Sequence, residues 1–160
     1  MIRTLTIPGE PVAKGRPRVT GQGITYTPAK TKNYETLVKE LYWVKYQRQG
    51  QLKGPLKMTI DAYFKIPKNV SKKKKAAMLE GREQPTKRPD LDNCIKTIAD
   101  SLNDIAYIDD SFIVEVTARK WWTEEPRVEL KIEEIEREGE FKDLKKRLRT
   151  AESFLKEMEG

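Results

Sequence analysis

The chain has 160 residues, with 32 lysines and arginines against 25 aspartates and glutamates, a formal net charge of +7, one cysteine and no histidine. That length supports one domain with a real core, and the modest basic excess suits a polyanionic partner without identifying one. The lack of histidine excludes Ser-His and Cys-His nucleophilic sites, imidazole-bound zinc and a histidine base, while the single Cys94 can form no internal disulfide and fits a reducing compartment.

Ile2, Leu5 and Ile7 lie in a threonine-rich stretch that ends at Pro8-Gly9-Glu10-Pro11, which predicts a first strand and a turn. No basic region precedes an apolar run at the N-terminus, and no segment approaches bilayer length, so a soluble cytoplasmic protein of a bacterial or phage-infected cell is expected. Lys14-Gly15-Arg16-Pro17-Arg18 then sets three cations where glycine and proline oppose helix, and Gly21-Gln22-Gly23 turns the chain ahead of Ile24-Thr25-Tyr26. A basic loop or irregular hairpin follows. Lys14, Arg16 and Arg18 are candidates for phosphate contact, and a solvated basic loop would account for the same residues.

Thr27-Pro28 reads as a helix start, and Tyr34, Leu37, Val38, Leu41, Tyr42 and Val44 keep helical spacing to about Gln49. After Gly50 and Gly54-Pro55, the residues Leu56, Met58, Ile60, Ala62, Phe64 and Ile66 alternate strictly and predict a strand. Ser71 offers an N-cap to a short helix from Lys72 to Glu80, closed by Gly81. Its lysines Lys72, Lys73, Lys74 and Lys75 point all round the axis. They form an ordinary solvated helix or, with Lys87 and Arg88, a rim facing DNA. Pro85 and Pro89 make the stretch from Gly81 a loop expected to stay mobile until substrate arrives.

Pro89 disfavours helix at Arg88 and Asp90 suits an N-cap, so a helix is predicted whose buried face holds Leu91, Cys94, Ile95, Ile98, Ala99 and Leu102. Asp92 falls on its first turn and Lys96 one turn further along the same side. Asp109 and Asp110 follow a short loop and precede Phe112, Val114, Val116 and Ala118, expected as one face of a strand. A few carboxylates on rigid elements make the kind of site Mg²⁺ uses, with phosphate and water completing its shell, and Lys96 could orient water or stabilise charge on a phosphodiester. Spacing alone leaves open a plainer account, in which Asp90 is a helix cap and Asp92 an ion pair with Lys96.

Past Trp121-Trp122, which are expected to cap the sheet or a subunit contact, a turn at Pro126 leads to Val128, Leu130 and Ile132, predicted to pair with the preceding strand as an antiparallel hairpin. Arg119 and Lys120 are secondary phosphate candidates. From Phe141, the residues Leu144, Leu148, Ala151, Leu155 and Met158 recur at alternating intervals of three and four, a heptad seam on a helix that either lies on the domain or joins another subunit. The elements together predict an α+β domain with a mixed or mostly antiparallel sheet covered by helices, and an added C-terminal helix.

The run Arg88-Pro89-Asp90-Leu91-Asp92-Asn93, with Lys96 and the Asp109-Asp110 pair downstream, resembles the RusA family of Holliday junction resolvases. So do Pro8-Gly9-Glu10-Pro11, Lys14-Gly15-Arg16-Pro17-Arg18 and Tyr26-Thr27-Pro28, and the similarity runs from about Ile2 to Glu134. The resemblance implies a RusA-like endonuclease domain over residues 1–136, with 137–160 as a heptad-patterned helix outside the pattern. It implies Asp90, Asp92 and Asp110 as the metal carboxylates, Lys96 as the catalytic lysine, and Mg²⁺ or Mn²⁺ as the cofactor. The loop from Asn103 to Tyr107 is one residue shorter than in some relatives, which leaves Asp109 as an alternative third ligand. It further implies a homodimer that cuts branched DNA at four-way junctions, in recombination and repair. Two rival readings are a non-catalytic DNA-binding or architectural dimer and a metal nuclease acting on flaps or RNA.

Overall fold

The computed structural model describes residues 1–135 and 137–160, and the side chains of all of these except 137–141. The domain boundary expected at residue 136 and the side chain of Phe141, first in the heptad pattern, lie outside the described residues. In chain order the elements are β1 (Ile2–Pro8), β2 (Arg18–Val19), β3 (Thr25–Tyr26), α1 (Ala29–Tyr46), β4 (Leu56–Lys65), α2 (Lys72–Leu79), α3 (Leu91–Ser101), a 3₁₀ turn (Asp110–Phe112), β5 (Ile113–Thr123), β6 (Arg127–Glu134) and α4 (Arg137–Glu159).

The main sheet has the order β1-β6-β4-β5, and β2 and β3 form a separate small ribbon. Strict alternation in β4 buries Leu56, Met58, Ile60, Ala62 and Phe64. A strand apolar along one whole face gains most where both its edges are paired, and β4 runs antiparallel to β6 on one side and parallel to β5 on the other. The fold is therefore an α+β domain around a mixed sheet, reached through an α2–α3 crossover between β4 and β5.

The hairpin expected of β5 and β6 does not form, because β4 lies between them. Their link passes over the end of β4: the Ile66 N–H donates to the Thr123 carbonyl at 2.9 Å, and the Gly9 N–H donates to the Pro126 carbonyl at 3.0 Å beside β1. The face expected of β5 needs a second correction. Phe112, Val114 and Val116 are exposed, because β5 is an edge strand and its register slips beside Ile113, while Ala118 and Trp122 do pack on the core.

Two helices cover the apolar face of the sheet. From α1 the residues Thr31, Tyr34, Val38, Tyr42 and Tyr46 turn inward, three or four residues apart. Val44, expected on that face, is 75% exposed. From α3 come Cys94, Thr97, Ile98 and Ala99. The same alternation that buries Leu5 and Ile7 drives Arg3 inside, where its guanidinium donates to the Tyr42 hydroxyl and to the Gln49 carbonyl at 3.1 Å and lies 5.4 Å from the Tyr46 ring. Among the described residues no helix is long and apolar enough to cross a membrane.

Candidate active site

Asp90 occupies the N-cap of α3 in extended backbone geometry, and its carbonyl accepts the Cys94 N–H at 3.2 Å to close the first turn. Its side chain caps nothing. Asp92 stands on the first turn with an exposed carboxylate, and Lys96 is exposed one turn on. Among the described residues neither aspartate nor the lysine has an ion-pair or hydrogen-bond partner through its side chain. The plainer account of these residues, a cap and a surface ion pair, is therefore not what α3 builds. Their field is felt inside: burial pushes the Cys94 thiol up to about 11, and the charges of Asp92 and Asp90 add to that against the opposing charge of Lys120.

The chain enters α3 through a tethered loop. Lys120 Nζ on β5 donates to the Lys87 carbonyl at 2.5 Å and to the Pro89 carbonyl at 3.0 Å, just before Asp90, and the Lys87 ammonium lies 5.2 Å from the Trp122 ring. At the far end of the loop, Gly81 has φ +76° and so little room that an added Cβ would come within 3.1 Å of the Trp121 ring. Trp121 Nε1 in turn donates to Asp61 at 2.8 Å. Both tryptophans thus pack the end of the sheet, and the loop expected to be mobile is pinned at each end.

The second acidic group gathers at the other end of α3. Asp109 caps the 3₁₀ turn, and hydrogen bonding from the Ser111 side chain, then from the Ser111 N–H at 3.1 Å, lowers its pKa. Asp110 instead faces Asp100, and burial first, then the neighbouring carboxylates of Asp100 and Asp109, raise its pKa. Asp100 also accepts from Lys14 Nζ at 2.9 Å, and Lys14 Nζ donates to Glu35 on α1 at 2.8 Å. Burial alone would lower the Lys14 pKa, but the two carboxylates outweigh it and raise it. Lys14, expected as a phosphate contact, is thereby a clasp between the basic loop, α1 and α3. The Lys14 N–H to the Asn93 carbonyl (3.2 Å) and the Gly15 N–H to Thr31 Oγ1 (3.0 Å) close the same junction.

The remaining cations divide by their partners. Arg16, Arg18, Lys72, Lys73 and Arg88 are exposed and unpaired among the described residues. Lys74 and Lys75 form surface pairs with Glu83 at 3.6 Å and Glu124 at 2.5 Å. Arg119 bonds Asp61 through two nitrogens, at 2.7 and 3.0 Å, which removes it from the phosphate candidates.

All the carboxylates are hard oxygen donors of the type a divalent magnesium or manganese ion takes. The expected trio is not assembled, however: among the described residues no group of three or more His, Cys, Asp or Glu side chains is placed to hold a metal ion. Asp90 and Asp92 stand at the start of α3, and Asp110 keeps company with Asp100 two turns along it. Asp100 and Glu35 have no prominence in the sequence, and Lys120 stands there only as a secondary phosphate candidate. Asp100 carried a signal, since Asp92, Lys96 and Asp100 are spaced four apart on one helix face; Glu35 and Lys120 gain their roles only through tertiary contact.

Comparison with known proteins points one way. The profile of the family described as Endodeoxyribonuclease RusA matches residues 8–133. The chain is 40% identical over 135 residues to the uncharacterized protein YqaN of Bacillus subtilis (strain 168), covering 81% of this chain and 94% of that protein. It is 32% identical over 123 residues to the crossover junction endodeoxyribonuclease rusA of Lactococcus phage r1t, covering 76% and 86% of the two. All the acidic residues of the site fall within the matched span.

Proposed function

The chain belongs to the RusA endodeoxyribonuclease family, and we propose from that premise that it is a metal-dependent, structure-selective endodeoxyribonuclease that resolves four-way DNA junctions by paired cuts in opposing strands. The observation that carries the reading is the pair of uncommitted carboxylates, Asp90 and Asp92, with the uncommitted Lys96 beside them on α3. Three charges without partners among the described residues, at the start of one helix, are available to substrate.

Asp90, Asp92 and Asp110 are the residues that would hold Mg²⁺ or Mn²⁺. Asp110 is preferred to Asp109 because the Asp109 carboxylate is spent on the Ser111 N–H. Asp110 must give up its contact with Asp100 to join the other two, and Lys14 keeps Asp100 neutralised when it does. The bound ion supplies charge neutralisation at the scissile phosphate and a lowered pKa for attacking water. Lys96 holds a positive charge against the phosphate oxygens as negative charge builds on them. Arg16, Arg18, Lys72, Lys73 and Arg88 contact the DNA backbone, with Lys87 beside them. Lys74 and Lys75 contribute once they leave partners that bind them weakly at the surface. A two-fold dimer supplies the two cutters that a junction requires.

A non-catalytic DNA-binding dimer is the second reading, favoured by the separation of Asp110 from the other two carboxylates. Purified protein incubated with a synthetic four-way junction, a linear duplex, a flap and an RNA hairpin, with and without Mg²⁺, tests both. Symmetric incisions confined to the junction and dependent on the ion are expected. Junction binding with no incision in Mg²⁺ or Mn²⁺ would establish the second reading, and preferential cutting of the flap or RNA would change the substrate.

A further inference from the structure

The helix α4 spans Arg137–Glu159 and lies outside the residues 8–133 that the family profile matches. Leu144, Leu148, Phe154, Leu155 and Met158 on it are 51–71% exposed, and among the described residues α4 has no packed interface with the rest of the fold. In proteins most of a helix's stability comes from packing of its apolar face rather than from intrinsic propensity. Five large apolar side chains on one unpacked helix therefore call for a partner surface.

The pattern identifies that surface. Leu144, Leu148, Ala151, Leu155 and Met158 are spaced 4, 3, 4 and 3 residues apart, the repeat that keeps a seam facing an identical helix. With Leu148 and Leu155 at a positions, Leu144, Ala151 and Met158 fall at d, Arg147 at g and Glu152 at the following e. In a parallel pair each g residue faces the e residue five places on in the partner, so Arg147 meets an opposite charge twice, once on each side of the seam. Phe154, at the next g, widens the apolar stripe. Only residues 135 and 136 separate β6 from α4, so parallel helices bring both domains to one end.

We propose that α4 is a self-association element, in which the α4 helices of two copies pair in parallel as a two-stranded coiled coil through Leu144, Leu148, Ala151, Leu155 and Met158. This pairing is independent of the nuclease reading and of any contact between the domains themselves.

The test uses the full chain carrying Met158→Cys, where the native Cys94 is buried and silent. Mild oxidation at micromolar protein is expected to give a disulfide dimer on a non-reducing gel. Adding Leu148→Lys and Leu155→Lys to the same chain is expected to cut the crosslinked fraction at least about tenfold, with the circular dichroism of the domain retained. Failure of Met158→Cys to crosslink, equal crosslinking in the lysine variant, or crosslinking only between Leu144→Cys and Leu155→Cys chains, which an antiparallel pair would give, each overturns the proposal.

Discussion

Asp90 sits at the N-cap of α3 with its carboxylate bonded to no backbone N–H, which forgoes the roughly 1 kcal/mol that a side-chain cap contributes. The replacement Asp90→Ala should accordingly lower the free energy of unfolding by less than about 0.5 kcal/mol in a urea titration, while junction cutting falls by about a thousandfold or more, as expected for loss of a group acting on the reacting phosphate. A large destabilisation with cutting intact would return Asp90 to a structural role. The neighbouring pair gives the opposite contrast: Asp109→Ala should lower the melting temperature and spare cutting, because its side chain caps the 3₁₀ turn, whereas Asp110→Asn should abolish cutting. Lys96→Ala should reduce the cutting rate by about a hundredfold and leave both stability and junction affinity unchanged, since the ammonium touches nothing in the protein. Equal loss of affinity and rate would make Lys96 a binding residue.

At the scale of elements, α3 and β4 were legible because their periodicity is strong and local, and Asp90 marked the start of α3 to the residue. Strand neighbours were not legible: nothing in Val128, Leu130 and Ile132 says whether they pair with β5 or with β4, as both choices bury the same face. The ion pairs of Lys14 were illegible for a similar reason, since a cation among cations looks solvated until Glu35 and Asp100 arrive from α1 and α3. The prolines of the loop from Gly81 to Pro89 predict mobility, and Lys120 ties its last residues to β5. Lys120→Met should therefore speed hydrogen exchange and proteolysis at residues 81–89 and slow cutting about tenfold, with junction affinity kept; unchanged exchange there would remove the tether from the account. On the far face of the sheet, hydrogen bonding from Arg119, opposed by burial and helped by Trp121, holds the Asp61 carboxyl below its ordinary 3.8. A carboxylate depressed on folding contributes stability that is full above that ordinary value and lost as pH falls through the lowered one. Asp61→Asn should therefore destabilise at pH 7 and converge with the parent chain in acid melts as pH falls through that lowered value. A gap that persists there would show that its contribution is not electrostatic.

For the molecule as a whole, a net charge of +7 states only that a polyanion is attracted; where the charge is usable depends on which cations already have partners. Lys14, Arg119 and Lys120 are engaged with protein oxygens, and Arg16 and Arg18 are not. The loop carrying these two arginines is fixed to α1 and α3 by Lys14 and Gly15, so their positions relative to the acidic helix are held before DNA arrives, and little ordering entropy opposes contact. Each phosphate neutralised releases counterions, so the logarithm of the junction association constant should fall linearly with the logarithm of salt concentration. Replacing Arg16 and Arg18 together by alanine should flatten that slope by about 1.8, the contribution of two phosphate contacts on duplex DNA. Lys14→Met should act differently, lowering stability by exposing Asp100 and Glu35 to each other and weakening binding only through displacement of the loop, so its slope should change less than that of the arginine pair. Filter-binding titrations from 50 to 300 mM salt with catalytically silent Asp92→Asn protein separate the cases. A slope unchanged by loss of both arginines would place the DNA on another face.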